Sequence, residues 1–170
     1  MVHIGIINPK DMTNVGSVLR AIGCFQADGL LYTGNRYRTA LRYCTDTRNV
    51  QETVPATHVD DLLEAHSQLP AGTRLVCVEL VEGATPLPEF EHPQQALYVF
   101  GPEDGSLPQS LVNAADAVVY VPTVGCLNLA ATANILLYDR HVKLGGPAGQ
   151  GDDLIRASRD NNNRLKVRKS

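Results

Sequence analysis

A chain of 170 residues with 44% hydrophobic content can bury one substantial core and is too short for two domains of ordinary size. No apolar run approaches membrane-spanning length, and the opening Met1 to Ile7 is interrupted too soon by Asn8-Pro9 to serve as a secretory signal, so a cytoplasmic protein is expected. The formal charge of −3 divides into +5 from Arg156 onward and −8 before it, so a mean that disfavours a polyanionic partner conceals a basic arm.

In chain order, the apolar run at 2–7 predicts a buried strand, 14–26 a helix, and 29–33 a short strand. Helix follows at 59–68, strand at 73–80, strand at 96–100, a short helix at 108–114 and strand at 116–121. The longest helix is expected over 128–144, where Gly145-Gly146-Pro147 stops it. This alternation is an α/β order. Strands rich in Val, Ile and Leu on both faces imply a mostly parallel sheet covered by helices on each side, with ligands at the carboxyl ends of the strands. Residues 1–145 form the expected domain, and 146–170 a basic C-terminal extension of polar composition.

Three segments carry unusual polar residues at the ends of apolar runs. The first is Thr13 to Arg20, in which Asn14 is a candidate helix N-cap, Gly16 permits close approach to a backbone or phosphate, and Arg20 stands a turn and a half further along. The second, Phe100-Gly101-Pro102-Glu103-Asp104-Gly105-Ser106-Leu107-Pro108, is a rigid loop of two glycines and two prolines entered directly from a strand. The third is Val121-Pro122 through Cys126-Leu127-Asn128-Leu129-Ala130, where a strand ends, a glycine turn follows, and Asn128 can cap a helix of small residues. None of the three is a dinucleotide or P-loop fingerprint.

The four cysteines, Cys24, Cys44, Cys77 and Cys126, form no CxxC pair and read as buried free thiols. The histidines are scattered, so no metal is expected. Arg36, Arg38, Arg42 and Arg48, with Tyr37 and Tyr43 interleaved and Asp46 opposing, read as one loop offering phosphate partners and stacking surfaces to a nucleic acid.

Taken together, the three segments resemble the motifs of the SpoU branch of the SPOUT superfamily of RNA methyltransferases, in order and in spacing. The matching residues are Asn14, Gly16 and Arg20; Phe100 to Glu103 with Gly105 and Leu107-Pro108; and Val121-Pro122 with Leu127 to Ala130. The resemblance covers residues 2–144 and implies a fold that composition could not show, a parallel sheet ending in a C-terminal trefoil knot. It further implies a homodimer whose partner helps complete the site, and S-adenosylmethionine as cofactor. The cofactor would lie among Glu79, Leu80, Phe100, Gly101, Pro102, Glu103, Gly105, Val121, Pro122, Cys126, Leu127 and Asn128.

The implied reaction is methyl transfer to a ribose 2′-hydroxyl. Arg20 would stand at that hydroxyl with Asn14 positioning it, while Glu103 and Asn128 organise the pocket. Because guanidinium stays protonated, Arg20 is credited with orientation and charge stabilisation ahead of proton removal. Many relatives carry serine where this chain has Cys126. The absence of a separate RNA-binding domain before the motifs favours transfer RNA as substrate. Ribosomal RNA, or a non-catalytic RNA-binding role on the same fold, are the alternatives.

Overall fold

The computed structural model of the chain describes residues 1–42, 53–146, 150–159 and 161–168. Its strands are β1 (Val2–Ile6), β2 (Gly29–Tyr32), β3 (Ala56–His58), β4 (Arg74–Val78), β5 (Thr85–Pro86), β6 (Ala96–Phe100) and β7 (Ala117–Tyr120). The helices are α1 (Met12–Cys24), α2 (Tyr37–Arg42), α3 (Leu62–Ser67), α4 (Gln109–Ala114), α5 (Leu129–Leu144) and α6 (Asp152–Ser158). The strands form one sheet in the order β3-β2-β1-β6-β4-β7-β5, with every pairing parallel.

Alternation along the central strands divides the core between the two faces. Ile4 and Ile6 of β1 and Tyr98 and Phe100 of β6 point to the face covered by Val15, Val18, Leu19 and Ile22 of α1 and by Ala133, Leu136 and Leu137 of α5. Leu97 and Val99 of β6 point the other way, to Leu62 of α3, Cys77 of β4 and Leu111 of α4. Helices therefore cover both faces of a parallel sheet, as expected. Each fully buried Leu or Ile here contributes roughly 1.5–3 kcal/mol, which makes β6, buried at all five positions, the centre of the fold.

The ends of α1 correct the sequence reading. The helix starts at Met12, and its N-cap is Asp11, whose Oδ1 accepts from Asn14 N at 2.8 Å; Asn14 lies inside the first turn and is buried. Asn128 does cap α5, with its Oδ1 accepting from Ala131 N at 2.7 Å.

The stretch from Arg36 is also not a single loop. Tyr37–Arg42 is helical, Tyr37 is buried and stacked on Tyr32 with ring centroids 3.8 Å apart, and so offers no surface to a base. Arg38 and Arg42, four residues apart on α2, are both exposed and share one face. Tyr43, Cys44, Asp46 and Arg48 lie outside the described residues. Cys77 is buried, with its thiol pushed up to about 12 by burial, whereas Cys24 and Cys126 are exposed, one at the end of α1 and the other on a surface loop.

A part-buried polar staple centred on buried His92 docks α5 onto the segment before β6. His92 Nδ1 lies 2.7 Å from Tyr98 Oη and its Nε2 lies 2.9 Å from Asp139 Oδ2, while Arg140 donates to Tyr98 Oη at 3.1 Å and to Gln94 O at 2.8 Å. Lys143 Nζ completes it, 2.7 Å from Asp139 and 2.6 Å from Leu87 O. Burial lowers the His92 pKa below its ordinary value of 6.5, the Asp139 hydrogen bond opposing only in part.

Between the folded and unfolded values the unfolded chain holds the proton more tightly, so this stabilisation is complete above pH 6.5 and is lost as pH falls through the folded value. Thermal unfolding between pH 8 and pH 5 is expected to give a lower Tm at the acid end, at roughly those pH values. His92→Gln should flatten that slope; an unchanged slope would remove His92 as its source.

Candidate functional site

The carboxyl ends of three adjacent strands, β6, β4 and β7, open into one cleft of about 340 Å³. Its wall is built by Val78-Glu79-Leu80 at the end of β4, Phe100 to Glu103 with Gly105 at the end of β6, Tyr120-Val121 with Thr123 at the end of β7, and Cys126 to Leu129 with Thr132 at the start of α5. Parallel strands ending side by side leave such a crevice because their connections depart in different directions.

Glu79 gives the second wall its shape. Its Oε2 accepts from Leu107 N at 2.9 Å and its Oε1 from Leu80 N at 3.0 Å, so one carboxylate ties the end of β4 to the loop after β6. The approach is close at Gly101: a Cβ there would lie 3.3 Å from Leu107 N and 3.4 Å from Glu79 Oε2, a snug fit that favours glycine.

Glu103 joins the cleft to the start of α1. Its Oε2 accepts from Lys10 N at 3.1 Å, and its Oε1 from Asp11 N at 3.2 Å and from Asn14 Nδ2 at 3.5 Å. An acid at a helix N-terminus also meets the positive end of the helix dipole. On the third wall, Thr132 Oγ1 donates to Asn128 O at 2.9 Å and Thr123 Oγ1 to Gly125 O at 2.6 Å, while the residues from Pro122 to Asn128 are exposed and leave the cleft open.

Of the twelve residues expected around a cofactor, eleven line this cleft; Pro122 does not. Asn14 and Glu103 touch, and Glu103 and Asn128 share the cleft. Arg20 lies on the exposed side of α1 and outside the lining of its own chain's cleft. Arg36 is bound to the Asn8 carbonyl and to Asp104, while Arg38 and Arg42 are exposed on α2.

Sequence reasoning missed Val78, Tyr120, Thr123, Leu129 and Thr132 as lining residues. Val78 and Tyr120 are the last residues of their strands, and Thr132 lies one helical turn after Asn128, a spacing that places both on one face. Among the described residues no group of three or more His, Cys, Asp or Glu side chains is placed to hold a metal ion, and no helix is long and apolar enough to cross a membrane.

The whole arrangement is similar to several solved structures. AviRb, the SpoU methyltransferase of Streptomyces viridochromogenes, is 23% identical with a TM-score of 0.70, the match covering 85% of this chain and 60% of that one. An rRNA methyltransferase from Sinorhizobium meliloti is 21% identical with a TM-score of 0.72, covering 84% and 56%. The A. aeolicus TrmH/SpoU tRNA modifying enzyme is 16% identical with a TM-score of 0.71, covering 92% and 84%. At these identities the likeness shows the fold, and this chain spans 60% or less of the first two proteins. No curated protein matches by sequence. The model of the SpoU rRNA Methylase family, however, matches residues 1–138, a stretch that contains all three motif segments and every residue of the cleft they line, and the chain therefore belongs to that family.

Proposed function

We propose that this protein is an S-adenosylmethionine-dependent RNA ribose 2′-O-methyltransferase acting on transfer RNA. The observation that carries the reading is the convergence of three sequence-distant motifs on one cleft, with Glu103 joining that cleft to Asn14 at the start of α1. A relative of similar length supports the substrate class: a protein described as methylating the 2-OH of C/U34 on tRNA is 20% identical, with 86% of this chain and 92% of that one covered. AviRb and the S. meliloti enzyme have each been solved with AdoMet bound.

The cleft fits such a cofactor. Its volume lies within the range of small-ligand sites, and Val78, Leu80, Phe100, Val121 and Leu127 supply an apolar wall for a purine ring. The glycine and proline turns present backbone polar groups beside that wall. When bound, the cofactor supplies an activated methyl group on a sulfonium.

The chain's own residues then align and stabilise. Glu79 fixes the loop from Gly101 to Leu107, Asn128 fixes the start of α5, and Glu103 with Asn14 sets the start of α1. Arg20 orients the 2′-hydroxyl and steadies the negative charge that develops on it, and the open cleft admits solvent to take the proton. Exposed Arg38 and Arg42 and the basic tail contact the RNA backbone. The trefoil knot belongs to the same reading through the family resemblance, in the stretch from β6 to α5 that builds the cleft.

The homodimer is supported by two features. Arg20 does not line the cleft of its own chain, and α5 exposes Ile135, Tyr138 and Val142 as an apolar stripe at helical spacing. Tyr138→Glu is expected to convert a dimer to a monomer in light scattering and to lower methyl transfer in step; an unchanged mass would remove this stripe from the interface. The reaction itself is tested by incubating the protein with transfer RNA and methyl-labelled S-adenosylmethionine. Label in 2′-O-methylnucleosides is expected, and label confined to bases would overturn the ribose assignment.

A further inference from the structure

Beside the cleft, two cations share one carboxylate. Lys10 Nζ lies 3.0 Å from Asp104 Oδ2, Arg36 Nη1 lies 2.8 Å from the same oxygen, and Arg36 Nη2 lies 3.1 Å from Oδ1. All three side chains are open to solvent, at 47%, 31% and 44% exposure for Lys10, Arg36 and Asp104.

Arg36 is also held from behind. Its Nε and Nη2 donate to the Asn8 carbonyl at 2.9 and 2.5 Å, and its backbone N to Asn8 Oδ1 at 3.4 Å. Asn8 adopts a left-handed φ of 42°, and Gly34 packs against it so closely that a Cβ there would lie 2.3 Å from Asn8 Oδ1. Backbone strain of this kind persists only where the surroundings enforce it. The guanidinium fork is therefore aimed by the protein independently of Asp104.

The two cations converge on a point that suits a tetrahedral dianion or phosphodiester as well as a carboxylate, and a fixed guanidinium fork matches phosphate geometry. That point adjoins the start of α1, where Glu103, the neighbour of Asp104, binds Lys10 N and Asp11 N. Both chain neighbours of Asp104, Glu103 and Gly105, line the cleft.

We propose that Lys10 and Arg36 form the seat for one backbone phosphate of the RNA, and that Asp104 fills this seat as an internal stand-in until the RNA displaces it. The proposal rests on the methyltransferase reading. Exposed ion pairs are weak and salt-screened, so a polyanion bringing several contacts at once outcompetes a single tethered carboxylate.

The test is binding of unfractionated transfer RNA over a range of salt concentrations, with a parallel titration of S-adenosylmethionine. Asp104→Asn, which keeps the shape and removes the charge, should bind RNA about three- to tenfold more tightly near 0.1 M salt with unchanged cofactor affinity. Lys10→Ala and Arg36→Ala should each weaken binding and reduce the salt slope by about one. In the Lys10→Ala/Arg36→Ala background the gain from Asp104→Asn should vanish; if Arg36→Ala does not fold, Lys10→Ala alone should shrink it.

Asp104→Asn binding RNA no more tightly than wild type, while wild type binds both RNA and cofactor, would overturn the seat and leave the functional reading standing. A gain that persists in full without Lys10 and Arg36 would also overturn it, as a general charge effect. Wild-type protein that bound neither RNA nor cofactor would remove the functional reading and the seat together.

Discussion

Arg20→Ala is expected to bind S-adenosylmethionine as wild type does and to lose methyl transfer by roughly 10²- to 10⁴-fold, the range typical of removing a group that acts on the reacting atom. The separation follows from position. Arg20 is outside the cleft lining, whose loops are held by Glu79, Glu103 and Asn128. Single-turnover rates together with calorimetric cofactor binding read the two effects apart. Loss of cofactor affinity would instead assign Arg20 to the architecture of α1, and retained transfer would make it a surface residue. Arg20→Lys should recover little, because a point charge does not reproduce a planar fork.

Glu79→Ala should act in the opposite way, through binding. Removing the carboxylate leaves Leu107 N and Leu80 N without their acceptor and frees the loop that Gly101 packs against Glu79. Leu80 N lies in an exposed bond that water can replace, whereas the part-buried Leu107 N left unpaired costs at most about 1–3 kcal/mol, so cofactor affinity is expected to fall by up to about 150-fold. Glu79→Gln keeps one acceptor oxygen and should recover part of the loss. Calorimetry on the three proteins decides it; equal affinities would show that the loop holds its shape without Glu79.

These outcomes bear on what the sequence could disclose. The loop from Phe100 to Pro108 was legible because glycine and proline restrict backbone in ways that survive any tertiary context. Asn128 was legible as a cap because cap and helix are neighbours in sequence. Asn14 reads as the cap for a related reason: Asp11, Thr13 and Asn14 all have capping side chains, and it is Asp11, three residues earlier, that takes the cap.

What stayed hidden depends on partners far apart in sequence. Arg36 reads as a free phosphate ligand until Asp104, 68 residues away, is placed beside it. His92 reads as a stray histidine until Asp139, 47 residues on, closes the staple. Short elements were missed because they lack a period: β5 has two residues, and β3 has three, all exposed. The family resemblance supplied the expected cofactor and reaction, for which the glycine-rich turns give a shape but no reactive side chain.

The proposed activity places a methyl group on a ribose 2′-hydroxyl of transfer RNA. Its most direct test is mass spectrometry of nucleosides from the transfer RNA of a strain lacking the protein, beside the same strain supplied with wild type or with Arg20→Ala. One 2′-O-methylnucleoside should disappear, return with wild type and fail to return with Arg20→Ala. A full set of 2′-O-methylnucleosides in the deletion strain's transfer RNA would contradict the claim.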